Sequence, residues 1–387
     1  MAFHPTPSTL WSEGDEQRIL VRQYINETLR AILDGFCLGL SEGRPSITLR
    51  RRLNATDTEI NPRTGALETT HQFCASRLYT WPADTALETW KFSLSLGRSH
   101  LLKRLTDHQI YLQPDIFYID PVYFRSQGAV DDAIDDLAFT IGVDRAALGV
   151  EAAGKGLIAG TFCLKHDSEV IVDARIGSQS TLVPRVQDGD EIDITGTRWV
   201  LVIEKEFKAV FQRLMRSGFH NNALAGNGIL ITGKGYPDLL SRRLTRHIFD
   251  MACTSQPKPR FYALVDADPD GIAIMSTYKY GSLSHVHENA KLCIPGLQWL
   301  GLRISDIIDG ESSLGQGGSS PLTARDRRKI ITMLRNSPVW AVDGPELEWR
   351  VELQRMLLLN AKAEIEMLYE QSDGLEGWIE RRMFRQA

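Results

Sequence analysis

The sequence has no run of eighteen apolar residues, and its first residues have neither the basic nor the apolar region of a secretory signal. We therefore expect neither a membrane-spanning helix nor an export signal. The chain has only five cysteines, odd in number and widely scattered, with no Cys-x-x-Cys or Cys/His spacing that would bind zinc. Few, scattered cysteines are typical of an intracellular protein whose thiols are reduced.

An excess of positive charge is also absent. The formal net charge is −5, so the composition does not indicate a nucleic-acid binder. Any DNA contact would depend on local basic patches, a metal ion and partner proteins. The chain has 387 residues, of which 43% are hydrophobic and 24% charged, and these values are typical of a globular protein with two or three domains.

Residues 1–80 are predicted to form a helical N-terminal extension. Between Glu16 and Leu33, apolar residues recur at helical spacing, which predicts an amphipathic helix. Its apolar face either covers the core of the protein or binds a helix of a partner. The polar stretch from Asn54 to Thr70 favours a loop or an insertion.

Residues 85–165 have the pattern of a small helical domain. Helical spacing covers Trp90 to Leu105 and Val130 to Ile141, and Asp144 fits the N-cap of a short third helix. The segment from Gly154 to Gly160 (GKGLIAG) then predicts a turn and a strand. Three helices followed by a strand favour a winged helix, a fold that can place one helix in the DNA major groove.

From residue 195 to the C-terminus the pattern becomes that of an α/β domain. Three short apolar runs predict strands buried on both faces, at Trp199–Ile203, Ile229–Thr232 and Phe261–Val265. Helical patterns separate them, and strands that alternate with helices predict a parallel sheet.

Carboxylates follow two of these strands. Glu204 comes directly after the first, and Asp266 and Asp268 come after the third. Ligands of parallel sheets bind outside the carboxyl ends of the strands, and carboxylate oxygens are ligands that Mg²⁺ prefers. The pattern therefore predicts a magnesium site, with an acidic turn that caps the next helix as the alternative interpretation of Asp266 and Asp268.

Several ordered motifs resemble a known family. VIEKE around Glu204, ITGKGYPD from Ile231 and LVDADPDG from Leu264 resemble a Toprim domain. DIFY at Asp115–Tyr118 and the GKGLIAG segment are similar to the A subunit of topoisomerase VI. The tail, with PLTARDRRKIITMLR and EWRVELQRML, resembles the eukaryotic members that make meiotic double-strand breaks. The likeness runs from about residue 90 to the C-terminus.

The resemblance implies a fold class of α/β plus α+β. A winged-helix (CAP-like) DNA-binding domain would precede a Toprim domain with a parallel sheet, and helices would follow at the C-terminus. It also implies roles for particular residues. Tyr118 would be the nucleophile, Glu204, Asp266 and Asp268 would hold Mg²⁺, and three basic residues would contact DNA phosphates: Arg104, Lys155 and Lys234.

The implied function is that of a DNA-cleaving transesterase in the nucleus, which starts homologous recombination through a 5′-phosphotyrosyl intermediate. The implied partners are double-stranded DNA, a second copy of the chain, a topoisomerase B-like subunit docked on the helix Glu16–Leu33, and meiotic accessory proteins. With the B-like subunit, the enzyme class would be that of an ATP-hydrolysing type II topoisomerase.

The sequence departs from the family pattern beside the tyrosine. Gln113 and Pro114 stand where the family has a Lys-Arg pair, and Phe117 replaces the first of two tyrosines. A free tyrosine hydroxyl, with a pKa near ~10, is a weak nucleophile unless a base or a positive charge activates it. Three alternatives therefore stay open: a non-catalytic DNA-binding scaffold, a Toprim nuclease that uses water, and the A subunit of a type IIB topoisomerase.

Overall fold

The computed structural model describes residues 13–37, 44–52, 58–69, 74–93, 111–151, 154–175, 179–187, 189–205, 210–283, 286–308 and 319–386. The chain divides into two compact units, which consist of residues 1–55 with 71–153 and of residues 56–70 with 154–387. Within the described ranges, no helix has the length and apolar character that crossing a membrane requires.

The described strands follow in chain order: β1 (Ser46–Arg52), β2 (Thr58–Ile60), β3 (Leu67–Thr69), β4 (Cys74–Thr80), β5 (Tyr111–Leu112), β6 (Val150–Glu151), β7 (Leu157–Gly160), β8 (Cys163–His166), β9 (Glu169–Asp173), β10 (Thr181–Leu182), β11 (Asp190–Asp193), β12 (Trp199–Ile203), β13 (Gly228–Thr232), β14 (Arg260–Leu264), β15 (Leu297–Gly301), β16 (Ser319–Pro321) and β17 (Ala361–Ala363).

The described α-helices follow in the same order: α1 (Glu13–Cys37), α2 (residues 86–93), α3 (Gln113–Ile119), α4 (Pro121–Phe124), α5 (Gln127–Ile141), α6 (Val210–Arg216), α7 (Phe219–Asn222), α8 (Leu239–Thr254), α9 (Pro269–Lys279), α10 (Asn289–Leu292), α11 (Ile304–Ile308), α12 (Ala324–Asn336), α13 (Leu347–Leu359) and α14 (Gly374–Arg385). Short 3₁₀ turns lie at Arg145–Leu148, Val286–Glu288, Pro338–Trp340 and Ile365–Glu370.

The first unit is built on the antiparallel pair β1–β4, with α5 and α1 packed against β1. Helix α1 buries Val21, Ile25 and Ile32 in the same core as Ile134 of α5. The amphipathic helix predicted near the N-terminus is therefore confirmed, and its apolar face covers the core of this unit. The winged-helix arrangement of the unit stays a prediction, as do the domain boundaries at 1–80, 85–165 and 195–387.

The second unit is built on a six-stranded sheet in the order β10-β7-β13-β12-β14-β15. Strands β13, β12, β14 and β15 are parallel to one another. Every residue of β12 and β13 is buried, which agrees with strands that carry helices on both faces. The mixed α/β unit with a parallel sheet, which the alternating pattern predicts, is confirmed.

One strand lies elsewhere than the sequence predicts. The sequence pattern places the GKGLIAG segment with the helices of residues 85–165. Its strand β7 instead pairs antiparallel with β13, with Leu157 opposite Thr232 and Gly160 opposite Ile229. All four residues of β7 are buried, so the strand gains more contact inside the large sheet than it would as an exposed wing.

The polar stretch before residue 70 also has an unexpected position. Strands β2 and β3 form a hairpin that belongs to the second unit. The Leu67 amide donates a hydrogen bond to the Tyr280 carbonyl (2.8 Å), and the buried Asn289 side chain donates one to the Leu67 carbonyl (3.0 Å). Buried polar groups are costly unless paired, so these bonds hold the hairpin on the unit.

Candidate functional site

Two of the predicted site residues lie at the carboxyl ends of neighbouring strands. Strands β12 and β14 run in register, with Ile203 opposite Leu264. Glu204 follows β12 directly, and Asp266 lies two residues beyond β14. Both are buried, at 7% and 3% exposed. The sheet therefore brings together two carboxylates that lie far apart in the sequence.

Backbone amides hold these two carboxylates in place. The Asp266 amide donates a hydrogen bond to Glu204 Oε2 (2.9 Å), and the Ile365 amide donates one to Asp266 Oδ1 (2.9 Å). Ala267 and Ala363 form a β-bridge, with a hydrogen bond in each direction. The segment after β17 thus orients Asp266, a contribution that no local pattern in the sequence signals.

Asp268 is the N-cap of α9 and accepts a hydrogen bond from the Gly271 amide at 2.7 Å. The interpretation of the acidic stretch as a helix cap is therefore correct for Asp268. Gly271 fits closely against the Asp266 backbone and the Glu204 carboxylate. A Cβ atom there would lie 2.5 Å from the Asp266 carbonyl oxygen and 2.9 Å from Glu204 Oε2.

Burial, together with repulsion from neighbouring carboxylates, raises the pKa values of the three carboxylates. The pKa of Glu204 is raised to about 8, mainly by burial and to a smaller extent by repulsion from Asp266 and Asp268. Burial raises the pKa of Asp266 to about 6 against the opposing effect of Lys205, and burial also raises the pKa of Asp268. Clustered, desolvated carboxylates with raised pKa values are a common mark of a functional site.

Lys205 is a member of the site that sequence reasoning missed. Its Nζ lies 2.9 Å from Asp266 Oδ2, 3.3 Å from Glu364 Oε2 and 3.2 Å from Glu366 Oε2. Although burial acts to lower the pKa of Lys205, the carboxylates of Asp266 and Glu366 outweigh it and raise that pKa. The lysine is therefore a charged ammonium group within the acidic cluster. The only sequence signal for it is its position next to Glu204.

The donor set of Glu204, Asp266 and Asp268 fits Mg²⁺ chemically, because it offers carboxylate oxygens alone and because a cation would relieve the repulsion that raises their pKa values. In the part of the chain that the structure describes, no three His, Cys, Asp or Glu side chains are arranged ready to bind a metal ion. Lys205 and backbone amides instead contact both oxygens of Asp266, Oε2 of Glu204 and Oδ1 of Asp268.

Two of the three predicted DNA-binding residues lie beside this edge of the sheet. The Gly235 amide donates a hydrogen bond to the Glu204 carbonyl (2.8 Å), so the loop that carries Lys234 lies next to the carboxylates. Lys155 Nζ donates a hydrogen bond to the Lys234 carbonyl (3.3 Å). Arg104, the third, lies outside the described residues.

A second group next to the carboxylates was not predicted. Lys329 of α12 forms an ion pair with Asp270 and donates a hydrogen bond to the Tyr236 hydroxyl (2.6 Å). The Tyr236 hydroxyl in turn donates to Asp270 Oδ1 (3.3 Å). These contacts join the loop after β13, the start of α9 and α12 around the site.

Tyr118 belongs to the first unit, in the last turn of α3. Its side chain is 66% exposed, whereas Ile116 is buried in the core of the unit. The ring packs edge-on against Phe117, with 5.3 Å between the centroids. Tyr118 is therefore exposed at the surface of this unit and is not part of its core.

Comparison with known proteins gives matches for both units. Residues 199–376 match the family model for the Toprim domain of Spo11 and of the A subunit of topoisomerase 6, and residues 98–150 match the model described as "Type IIB DNA topoisomerase". Similar proteins include the human "Meiotic recombination protein SPO11", 33% identical over 325 residues, which are 84% of this chain and 77% of the relative.

Two further relatives represent a fungus and a plant. The fission yeast Schizosaccharomyces pombe has "Meiotic recombination protein rec12", 34% identical over 68% of this chain and 69% of the relative. Arabidopsis thaliana has the A subunit of DNA topoisomerase 6, which is 30% identical over 71% of this chain and 58% of the relative.

Proposed function

The chain belongs to the family of Spo11 and the topoisomerase 6 A subunit, and from this premise we propose that it is a DNA-cleaving transesterase that makes meiotic double-strand breaks. The main support for the proposal is that one chain contains both groups that the reaction needs, a tyrosine nucleophile and a carboxylate cluster. An exposed tyrosine lies in the region that matches the type IIB topoisomerase model, and a buried carboxylate cluster lies in the region that matches the Toprim model.

The reaction exchanges one phosphodiester for another. The Tyr118 oxygen attacks a DNA phosphorus and forms a phosphotyrosyl bond to the 5′ end, while the bond to the 3′ oxygen breaks. The tyrosine proton leaves to a base, and the 3′ oxygen takes up a proton to become a hydroxyl group. The number of phosphodiester bonds is unchanged, so cleavage consumes no nucleotide.

Glu204, Asp266 and Asp268 are the residues proposed to hold Mg²⁺. When bound, the ion would supply stabilisation of the negative charge that grows on the phosphate and on the leaving oxygen. Lys234, in the loop beside Glu204, and Lys155, whose Nζ donates to the Lys234 carbonyl, are proposed to contact DNA phosphates. Arg104 is proposed to do so as well. Their positive charge offsets the acidic edge of the sheet for a polyanionic substrate.

A double-strand break needs two cleavages, so the proposed active species on DNA is a homodimer that cuts one strand with each tyrosine. The proposed location is the nucleus. The proposed B-like partner docks on α1, where Ile19 and Leu33 are both exposed and lie almost four turns apart on one side of the helix. ATP hydrolysis would require this second chain.

Two other functions make different predictions. A scaffold of the same fold would give no covalent protein–DNA product, and a water-using Toprim nuclease would release free 5′-phosphates. The likeness to proteins named for meiotic recombination favours the transesterase over both.

The experiment compares Tyr118→Phe with wild type in meiotic cells. The protein is immunoprecipitated under denaturing conditions, and any attached DNA is labelled at its 3′-hydroxyl. We expect label on wild type and none on Tyr118→Phe, because the phenyl ring has no attacking oxygen. Tyr123→Phe, on the neighbouring helix α4, is the matched control and should keep its label. Equal labelling of Tyr118→Phe and wild type would exclude Tyr118 as the nucleophile.

A further inference from the structure

Lys205 has a position that neither the family match nor the proposed reaction explains. It follows the proposed metal ligand Glu204, and its ammonium group lies among three carboxylates rather than in solvent, with its side chain 28% exposed. A strongly hydrated ammonium group gives up water only where several anionic partners replace it. Asp266, Glu364 and Glu366 are those partners.

The two oxygens of Asp266 have different partners. Oδ1 accepts the hydrogen bond of the Ile365 amide (2.9 Å), which is fixed by the backbone. Oδ2 is the oxygen that Lys205 Nζ contacts at 2.9 Å. The Asp266 oxygen that backbone hydrogen bonding leaves available for a metal ion is therefore the one that the ammonium group holds.

The other two carboxylates give Lys205 an alternative place to bind. The Glu364 and Glu366 side chains are more exposed, at 71% and 31%, and lie 3.3 and 3.2 Å from the same nitrogen. If the ammonium group leaves Asp266, it keeps two anionic partners at the surface. Displacement from Asp266 therefore requires only a small movement of a flexible side chain.

We propose that Lys205 is an internal cation that competes with a divalent metal ion for Asp266 Oδ2. This inference rests on the proposed metal site. In the metal-free chain, the ammonium group partly neutralises the carboxylate cluster and keeps Asp266 oriented. A metal ion must displace it toward Glu364 and Glu366, so Lys205 weakens metal binding by the isolated chain.

The test measures metal affinity rather than DNA cleavage. Mn²⁺ binding to the full chain is followed by the loss of the free-ion signal in electron paramagnetic resonance, with Mg²⁺ as competitor. We expect Lys205→Met to bind Mn²⁺ on the order of tenfold more tightly, because removal of a positive charge at ion-pair distance from a ligand has an effect of this size even at the dielectric constant of water. Lys205→Arg, which keeps the charge, should bind within a few-fold of wild type.

Lys279→Met is the matched control. Lys279 also pairs with a carboxylate, that of Glu346, and its side chain is similarly shielded at 19% exposed. It lies at the opposite end of α9 from Asp268, about 16 Å along the helix axis. This variant loses the same charge and the same kind of ion pair, and its metal affinity should equal that of wild type.

The outcomes separate this inference from the proposed function. If wild type and Lys205→Met bind Mn²⁺ equally, or if the variant binds more weakly, the competition is refuted while the metal site stands. If neither wild type nor any of the variants binds Mn²⁺, the proposed metal site itself is refuted. If Lys205→Met does not fold without metal, Lys205→Gln gives the same comparison with a polar side chain. An unchanged Mn²⁺ affinity in Lys205→Gln would also refute the competition.

Discussion

Replacement of Glu204 with glutamine should stabilise the metal-free protein at pH 8. Burial and the neighbouring carboxylates raise the pKa of Glu204 from its ordinary 4.5 to about 8. The folded chain therefore holds this proton more tightly than the unfolded chain does. Its contribution to stability is fully present below pH 4.5 and is lost as the pH rises through about 8. Glutamine stays neutral, so the variant avoids this loss.

The size of the effect follows from the same two pKa values. At about 1.36 kcal/mol for each pKa unit, the free energy of unfolding of wild type falls by about 4 kcal/mol between acidic pH and pH 8 on account of this group. The variant should keep most of that free energy. One kcal/mol changes Tm by roughly 2–4 °C in a unit of this size, so Glu204→Gln should melt about 8–16 °C higher at pH 8. At pH 5 the two melting temperatures should differ little.

The assay is thermal unfolding in chelator at pH 5 and pH 8, followed by circular dichroism. Glu352→Gln is the control, because Glu352 is equally buried but accepts hydrogen bonds from Arg355 (2.5 Å) and the Ser305 amide (3.2 Å). It should destabilise the protein at both pH values, since the Arg355 pair is weakened. If Glu204→Gln melts no higher than wild type at pH 8, the folded chain does not raise the pKa of Glu204 as described.

Substitutions at the carboxylate site and on the exposed side of α1 test packing and partner binding. Gly271→Ala should destabilise the protein by about 1–3 kcal/mol and weaken Mn²⁺ binding, because its methyl group would clash with the Asp266 backbone carbonyl and with Glu204 Oε2. Gly128→Ala, on open helix surface, should neither destabilise the protein nor weaken binding in the same melting and binding assays. The double variant Ile19→Ser/Leu33→Ser should lose the B-like partner in a pull-down. The control Val170→Ser, at an exposed position of the second unit, should keep it. Full retention of the partner by the double variant would exclude the exposed side of α1 as the docking surface.

Local patterns predict the central sheet well. Strands β12, β13 and β14 begin and end within one residue of the predicted runs, because each is a short apolar segment bounded by polar or turn residues. The carboxylates at their ends follow from the same patterns, since parallel strands bring their carboxyl ends to one edge. The exposure of Tyr118 could not be predicted from its own neighbours, and its role as the nucleophile depends on the family resemblance.

Contacts between distant segments could not be predicted. Strand β7 has the turn residues and length of a wing, yet it pairs with β13, far along the chain. The Ile365 amide reaches Asp266 across 99 positions, and Asn289 holds a hairpin 222 positions earlier. Such pairings depend on the packing of the whole unit, and no periodicity in one segment encodes them.

In the proposed reaction Tyr118 becomes covalently joined to DNA, and mass spectrometry can identify the modified residue. The protein is isolated from meiotic cells under denaturing conditions, digested with nuclease and trypsin, and the peptide of residues 105–125 is sequenced by mass spectrometry. This peptide contains Tyr111, Tyr118 and Tyr123. A nucleotide remnant on Tyr118 alone is the predicted result. A remnant on either neighbouring tyrosine would exclude Tyr118 as the nucleophile, and unmodified peptide from cells in which breaks with free 5′-phosphates accumulate would exclude the transesterase.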